Sequence, residues 1–249
     1  MQPNSTPRAS SGRLLRLRLG LLRPKGLALA ALLLGGSLFA AWLVLSAPLE
    51  RARYDHLIGQ RQLEDLNRNL AAAKAETVFF GDSHAVFMSE KDPFCGKAVL
   101  NAGVGGITTT GYRAFMEKLA LPSRIPMGIL SIGTNSARRK FVPRNVSRFG
   151  VEAEAIIAKL LKRTEFLVVF PLPPIAEDVM PTFDRAAVAG FSDKLAALCH
   201  LPHCAFIDPY QAIRSDDPLV ARAGTMEPDG VHLLNYARAR RAAEEAICR

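Results

Sequence analysis

Thr77-Val78-Phe79-Phe80-Gly81-Asp82-Ser83-His84 is the stretch on which the fold turns. Its first four residues are β-branched or aromatic and read as a short buried strand. Gly81-Asp82 reads as the break after it, which leaves Ser83 at the carboxyl end of the strand. The same apolar pattern recurs at Ala98-Val99-Leu100-Asn101, at Gly128-Ile129-Leu130-Ser131-Ile132 and at Phe166-Leu167-Val168-Val169-Phe170. Ala205-Phe206-Ile207-Asp208 reads as a fifth, shorter strand. Helices are predicted between them over about 109–120, 151–163, 184–198 and 233–246. In 151–163 the apolar positions Ile156, Ile157, Leu160 and Leu161 share one face. Apolar strands alternating with amphipathic helices predict an α/β domain whose parallel sheet is covered on both faces. Such sheets bind ligands outside the carboxyl ends of their strands. The segments after strands one, two and three carry Ser83, Gly103 and Asn135.

Far downstream lies Asp229-Gly230-Val231-His232. A serine hydroxyl is a weak nucleophile until an imidazole takes its proton and a carboxylate orients that imidazole. The chain offers these groups in the order Ser83, Asp229, His232. Asp229 precedes His232 by three residues, so a turn brings its carboxylate to the ring. Each piece also has a plainer reading. Ser83 or Asn135 can cap a helix, and Asp229-Gly230 is a turn dipeptide in its own right. Asp82 is expected to shape its turn. Thr108-Thr109-Thr110 suits a helix N-cap better than a sugar contact. Arg138, Arg139 and Lys140 read as a solvated cluster more readily than as an anion site.

Four pieces taken together resemble the SGNH (GDSL-like) hydrolase superfamily over about residues 76–245: Gly81-Asp82-Ser83-His84, Asn101-Ala102-Gly103, Gly133-Thr134-Asn135 and Asp229-Gly230-Val231-His232. The resemblance implies a three-layer α/β/α sandwich with a flavodoxin-like, five-stranded parallel sheet, and hydrolysis or transfer of esters with no cofactor and no metal. It implies Ser83 as nucleophile, His232 as general acid and base, and Asp229 as its orienting acid. The Ser83 N–H, the Gly103 N–H and the Asn135 amide are then the expected oxyanion donors. His84 stands where the family has Leu, and is a candidate substrate contact. The Gly-Asp-Ser-His-Ala form is loosely similar to SGNH domains of polysaccharide O-acetylesterases and O-acyltransferases.

Charge and hydropathy divide the chain before this domain. The 249 residues carry a formal charge of +9. Arg8, Arg13, Arg16, Arg18, Arg23 and Lys25 crowd into residues 1–25, where there is no acid, leaving 26 basic residues against 23 acidic ones. That balance argues against a nucleic-acid partner. Residues 26–49 carry no charge and as a helix would cover roughly 36 Å, enough to cross a bilayer. The expectation is a basic cytoplasmic arm (1–25), an uncleaved signal-anchor in membrane lipid (26–49), a helical stalk (50–75) and the α/β domain (76–249) facing the periplasm of a bacterial inner membrane. Ser46-Ala47-Pro48 is a poor cleavage site because of its proline. In the stalk Leu63, Leu66, Leu70 and Ala73 share a face, which suits packing on the domain or on a membrane-protein partner.

An oxidising compartment makes the four cysteines informative. Of three pairings, Cys199 with Cys204 and Cys95 with Cys248 is favoured. Free thiols are an alternative. A zinc site at Cys199, His200, His203 and Cys204 would crowd four ligands into six residues. The leading functional expectation is an esterase or O-acyltransferase acting on acyl, chiefly acetyl, esters of an extracytoplasmic polysaccharide. The alternatives are a lipid esterase or thioesterase, and a non-catalytic subunit of a membrane complex.

Overall fold

A computed structural model describes residues 60–72, 76–89 and 93–248. The expected arm, the expected span and the first part of the expected stalk lie outside the described residues. Among those described, no helix is long and apolar enough to cross a membrane.

The strands are β1 (Thr77–Gly81), β2 (Val99–Gly103), β3 (Ile125–Ser131), β4 (Thr164–Val169) and β5 (Cys204–Phe206). The helices are α1 (Gln60–Ala71), α2 (Ser83–Met88), α3 (Thr109–Met116), α4 (Val142–Leu161), α5 (Arg185–Leu198) and α6 (Tyr236–Ile247). All strand pairs are parallel, in the order β2-β1-β3-β4-β5. This is the flavodoxin-like order, whose crevice lies where the connections reverse direction, between β1 and β3.

Alternation along each strand builds two cores. Val78, Phe80, Leu130, Leu167 and Val169 face one way, against Leu70 of α1, Phe115 of α3, Ile156 and Leu160 of α4, and Phe191 and Leu195 of α5. Phe79, Ile129 and Val168 face the other way, against Ala85 and Met88 of α2 and Ala239 and Ala243 of α6. Both faces are therefore covered, as the unbroken apolar runs predict. β3 begins three residues before its expected start. Pro126 hides that start, yet it sits where neither neighbouring strand pairs with it: β1 joins at Met127, and β4 pairs with Ile125 and Met127.

α4 starts nine residues before the expected 151. Asn145, Ser147 and Gly150 are weak helix formers, but tertiary packing decides the matter, with Phe149 buried and stacked on Phe191 at 3.8 Å between ring centres. α1 shows which way the stalk's apolar face turns. Leu70 is buried, and Leu63 and Leu66 pack on the same core. Asn67 closes two bonds to the α3–β3 connection, to Lys118 O at 3.1 Å and from Ala120 N–H at 2.9 Å. Of the two readings of this helix, docking on its own domain is the one observed.

Both favoured disulfides are present, Cys95–Cys248 and Cys199–Cys204. The second takes both sulfurs of the crowded cluster, so zinc ligation there does not apply. The first ties the segment before β2 to the end of α6.

Candidate active site

β1 ends at Gly81, with φ +130°, and a Cβ there would lie 1.7 Å from Ser131 O. Only glycine lets β1 and β3 finish this close together. Asp82 follows in extended conformation and caps α2, its Oδ1 accepting the His84 N–H at 3.0 Å. Ser83 is therefore not the cap. It is the first residue of the helix, and its hydroxyl is free for other work. Its own N–H, one of the orphan donors of a helix start, bonds to no described residue.

The Asp229–His232 turn arrives from the other end of the chain. Asp229 Oδ1 accepts the N–H groups of Val231 and His232, both at 2.9 Å. Gly230 (φ +66°) admits the turn, and a Cβ there would meet Val179 Cγ2 at 2.4 Å. Glu227 N–H to His232 O (2.8 Å) and Gly230 N–H to Glu227 O (2.9 Å) close the loop. Asp229 is thus a turn former and an imidazole partner at once. Its Oδ2 lies 2.5 Å from His232 Nδ1, and His232 Nε2 lies 2.8 Å from Ser83 Oγ. With the ring proton on Nδ1, the Nε2 lone pair faces the serine hydroxyl. Partial burial acts against the Asp229 carboxylate, but the N–H groups of His232 and Val231 and the His232 ring hold it down at about 2.

The expected oxyanion donors fare differently. Asn135 opens a short 3₁₀ turn after β3, and its half-buried amide has no partner among the described residues. The turn is clamped next door: Ser136 Oγ takes the Thr109 N–H at 2.9 Å, and Asn145 Nδ2 donates to Ser136 O at 2.9 Å. Gly103 does not match its expected role. Its N–H donates to Asn101 Oδ1 at 2.8 Å. A Cβ on it would meet Val86 N at 2.9 Å and Ala85 Cβ at 3.1 Å, so this glycine is there to let α2 pack on β2. Two and three residues on, Gly105 and Gly106 form the next turn, Gly106 at φ +72°, with open space where a Cβ would go and no bond from either N–H among the described residues.

His84 is a second correction. It is fully buried, so it is no substrate contact in this structure, and its Nδ1 lies 2.8 Å from the Tyr236 hydroxyl. Its ring sits 5.5 Å from that of His232. Thr108 caps α3 as expected, while Thr109 and Thr110 bond to Ser136 and Glu152. Arg138 lies over the Phe183 ring and Arg139 donates to Pro181 O, so both serve the 180–183 turn.

Asp82 and His84 are buried titratable groups that oppose each other. Burial pushes the Asp82 carboxyl up to about 6, and Asp82 Oδ2 has no hydrogen-bond partner. The backbone N–H groups of His84, Thr134 and Gly133 pull it down. Burial lowers His84 to about 3, assisted by the charge His232 can carry. Between pH 4 and 6 folded Asp82 holds a proton that the unfolded chain has released, so stability falls as pH rises. Over the same window folded His84 lacks a proton that the unfolded chain holds, so stability rises. Each slope is about 1.4 kcal/mol per pH unit, and the two nearly cancel. Relative to wild type, Asp82→Asn is expected to gain stability with rising pH across this window, and His84→Leu to lose it. Denaturant melts at pH 4, 5 and 6 measure both differences, and equal slopes in the three proteins would refute the pairing.

No family model matches the chain, and no curated protein matches it. Solved structures do. A lipase/acylhydrolase from Enterococcus faecalis aligns with a TM-score of 0.53 at 18% identity, covering 69% of this chain and 94% of the other. A GDSL-like lipase from Bacteroides thetaiotaomicron aligns with a TM-score of 0.55 at 18% identity, covering 74% and 95%. An acetyl xylan esterase aligns with a TM-score of 0.54 at 20% identity, covering 69% and 98%. The chain therefore has the fold of GDSL-like acylhydrolases and esterases.

Proposed function

We propose that this chain is a serine ester hydrolase or O-acyltransferase of the SGNH type. The observation that carries the reading is the unbroken chain Asp229 Oδ2–His232–Ser83 Oγ at a parallel-sheet switch point. Ser83 Oγ attacks the ester carbonyl carbon while its proton passes to His232 Nε2. Collapse of the tetrahedral intermediate breaks the bond to the alcohol oxygen, which leaves with that proton. Water or a second alcohol then reaches the acyl-Ser83 carbonyl, gives its proton to His232, and frees the serine. Asp229 keeps the imidazole in the working tautomer and stabilises its cationic form. Its low pKa keeps it ionised over the ordinary working range.

The oxyanion in this reading is held by the Ser83 N–H, the Asn135 amide and the Gly106 N–H, in place of the occupied Gly103 N–H. Asn135→Ala is expected to lower kcat by 10²–10³-fold with little change in KM, since the donor meets charge that develops only in the transition state. An unchanged kcat would remove Asn135 from the site.

The acyl donor in this proposal is an acyl ester, chiefly acetyl, of an extracytoplasmic polysaccharide, with residues 26–49 as the membrane anchor. Two disulfides support an oxidising compartment. The basic arm before an uncharged segment supports an anchored chain with its domain outside the cytoplasm. The full-length protein, in detergent, should turn over acetyl esters faster than long-chain acyl esters. A preference for long acyl chains would favour a lipid esterase instead.

A further inference from the structure

Phe87 stands apart from the packing of the domain. It is a large apolar side chain, 38% exposed, and it belongs to neither hydrophobic core. It lies four residues after Ser83 on α2, so the two side chains share one face of that helix. Both meet His232. Ser83 Oγ lies 2.8 Å from Nε2, and the Phe87 ring meets the imidazole edge-on, with 5.1 Å between centres. Edge-on contact is one of the arrangements aromatic pairs prefer. Next to Phe87 stands Tyr236, at 5.2 Å between ring centres. Tyr236 packs on the second core, and its hydroxyl lies 2.8 Å from Nδ1 of the fully buried His84. A series of rings in contact therefore runs from the interior to the imidazole.

We infer that Phe87 is a positioning residue: it holds the His232 ring in the rotamer that brings Nε2 to Ser83. The inference rests on the ester-cleaving reading above and deepens it. The backbone of the turn is already fixed, since Val231 and Leu233 on either side are buried and Gly230 O accepts the Ala176 N–H at 2.9 Å. What remains free to rotate is the His232 side chain. Asp229 does not hold it against α2. It belongs to the same turn, three residues earlier, and its side chain is 50% exposed, so the carboxylate can follow the ring to another staggered rotamer. Water lies on the open side, where 27% of the His232 side chain is exposed. The ties from the imidazole to α2 are the Ser83 hydrogen bond and the contacts with the His84 and Phe87 rings. The hydrogen bond is given up in each turnover, once Ser83 Oγ is acylated, yet the ring must stay in place to activate the second nucleophile. His84 lies wholly inside and closes the inner side. Phe87, itself partly in water, is the ring that reaches the outer one.

The test removes this ring and measures turnover of one acetyl ester by the full-length chain. Phe87→Ala is expected to lower kcat by about 10–100-fold, up to the cost of a misplacement of about 1 Å, with KM nearly unchanged. Fluorophosphonate labelling of Ser83 should slow by a similar factor, because it needs the same proton transfer. Phe87→Tyr should restore most of both rates. Leu234→Ala, which removes another exposed apolar side chain beside His232, should leave both unchanged. The thermal midpoint of Phe87→Ala should stay within about 2 °C of wild type, as for a surface position. A loss confined to KM overturns the inference by making Phe87 a substrate contact. An unchanged kcat overturns it, as does a Phe87→Tyr no faster than Phe87→Ala, or an equal loss in Leu234→Ala. A rate loss that only follows a large fall in the midpoint overturns it as well, by making the role structural. If wild type neither turns over the ester nor takes the label, the parent reading fails and the inference with it. Labelling that Ser83→Ala abolishes keeps the parent reading, whatever becomes of Phe87.

Discussion

Ser83→Ala is expected to cut ester turnover by about a million-fold, and adding His232→Ala to it should cost almost nothing more. The size follows from how the groups work together. Ser83 Oγ is useful only while His232 Nε2, 2.8 Å away, accepts its proton. His232 in turn is useful only while a nucleophile faces it. Groups that act as one unit give effects of this order that do not add. What remains in either variant is the contribution of binding and of the oxyanion donors, which survive the loss of the nucleophile. Steady-state rates of the single variants and of the double variant on one acetyl ester measure this. Additive losses would mean that the two side chains act separately, and the hydrogen bond between them would then be incidental to turnover.

The second large effect is on stability. Cys95 and Cys248 are 153 residues apart in sequence, and Cys199 and Cys204 only 5. Loop-closure entropy assigns the long bridge about 5 kcal/mol and the short one about 2 kcal/mol. The long bridge also joins the segment between α2 and β2 to the end of the last helix, because Cys95 precedes β2 while Cys248 follows α6. Around it, Glu244 accepts the Cys95 N–H at 3.1 Å, and Arg240 donates to Met88 O at 2.9 Å between the Phe79 and Phe94 rings. The paired change Cys95→Ser with Cys248→Ser should therefore lower the thermal midpoint by about 10–20 °C, given 2–4 °C per kcal/mol in a domain of this size. Cys199→Ser with Cys204→Ser should cost less than half as much. Scanning calorimetry gives the order directly, and a larger loss from the short bridge would contradict it.

Much of this protein is legible in its sequence. Buried parallel strands announce themselves as apolar runs, so β1 and β4 were found within a residue or two. Pro126 concealed the start of β3, and the weak helix formers before residue 151 concealed the first half of α4, because packing partners outweigh local preference. α2 has six residues, too few for a period to show. That Ser83, Asp229 and His232 come together is readable because their types and order are chemically restrictive. The surroundings of Gly103 are not. Whether a glycine serves a ligand or a neighbouring helix depends on where its N–H and its absent Cβ point, and Gly103 turns both toward its own fold. His84 teaches the same lesson: beside Ser83 it reads as a candidate substrate contact, yet it lies wholly inside, bonded to Tyr236 from the far end of the chain.

The central claim is that Ser83 is made nucleophilic by His232. The most direct measurement is intact-protein and peptide mass spectrometry after exposure to a serine-reactive fluorophosphonate. A single adduct on the peptide carrying Ser83, formed in wild type and absent from Ser83→Ala and His232→Ala, is the result expected. Wild type that stays unlabelled, or an adduct that forms equally well without His232, would contradict the account.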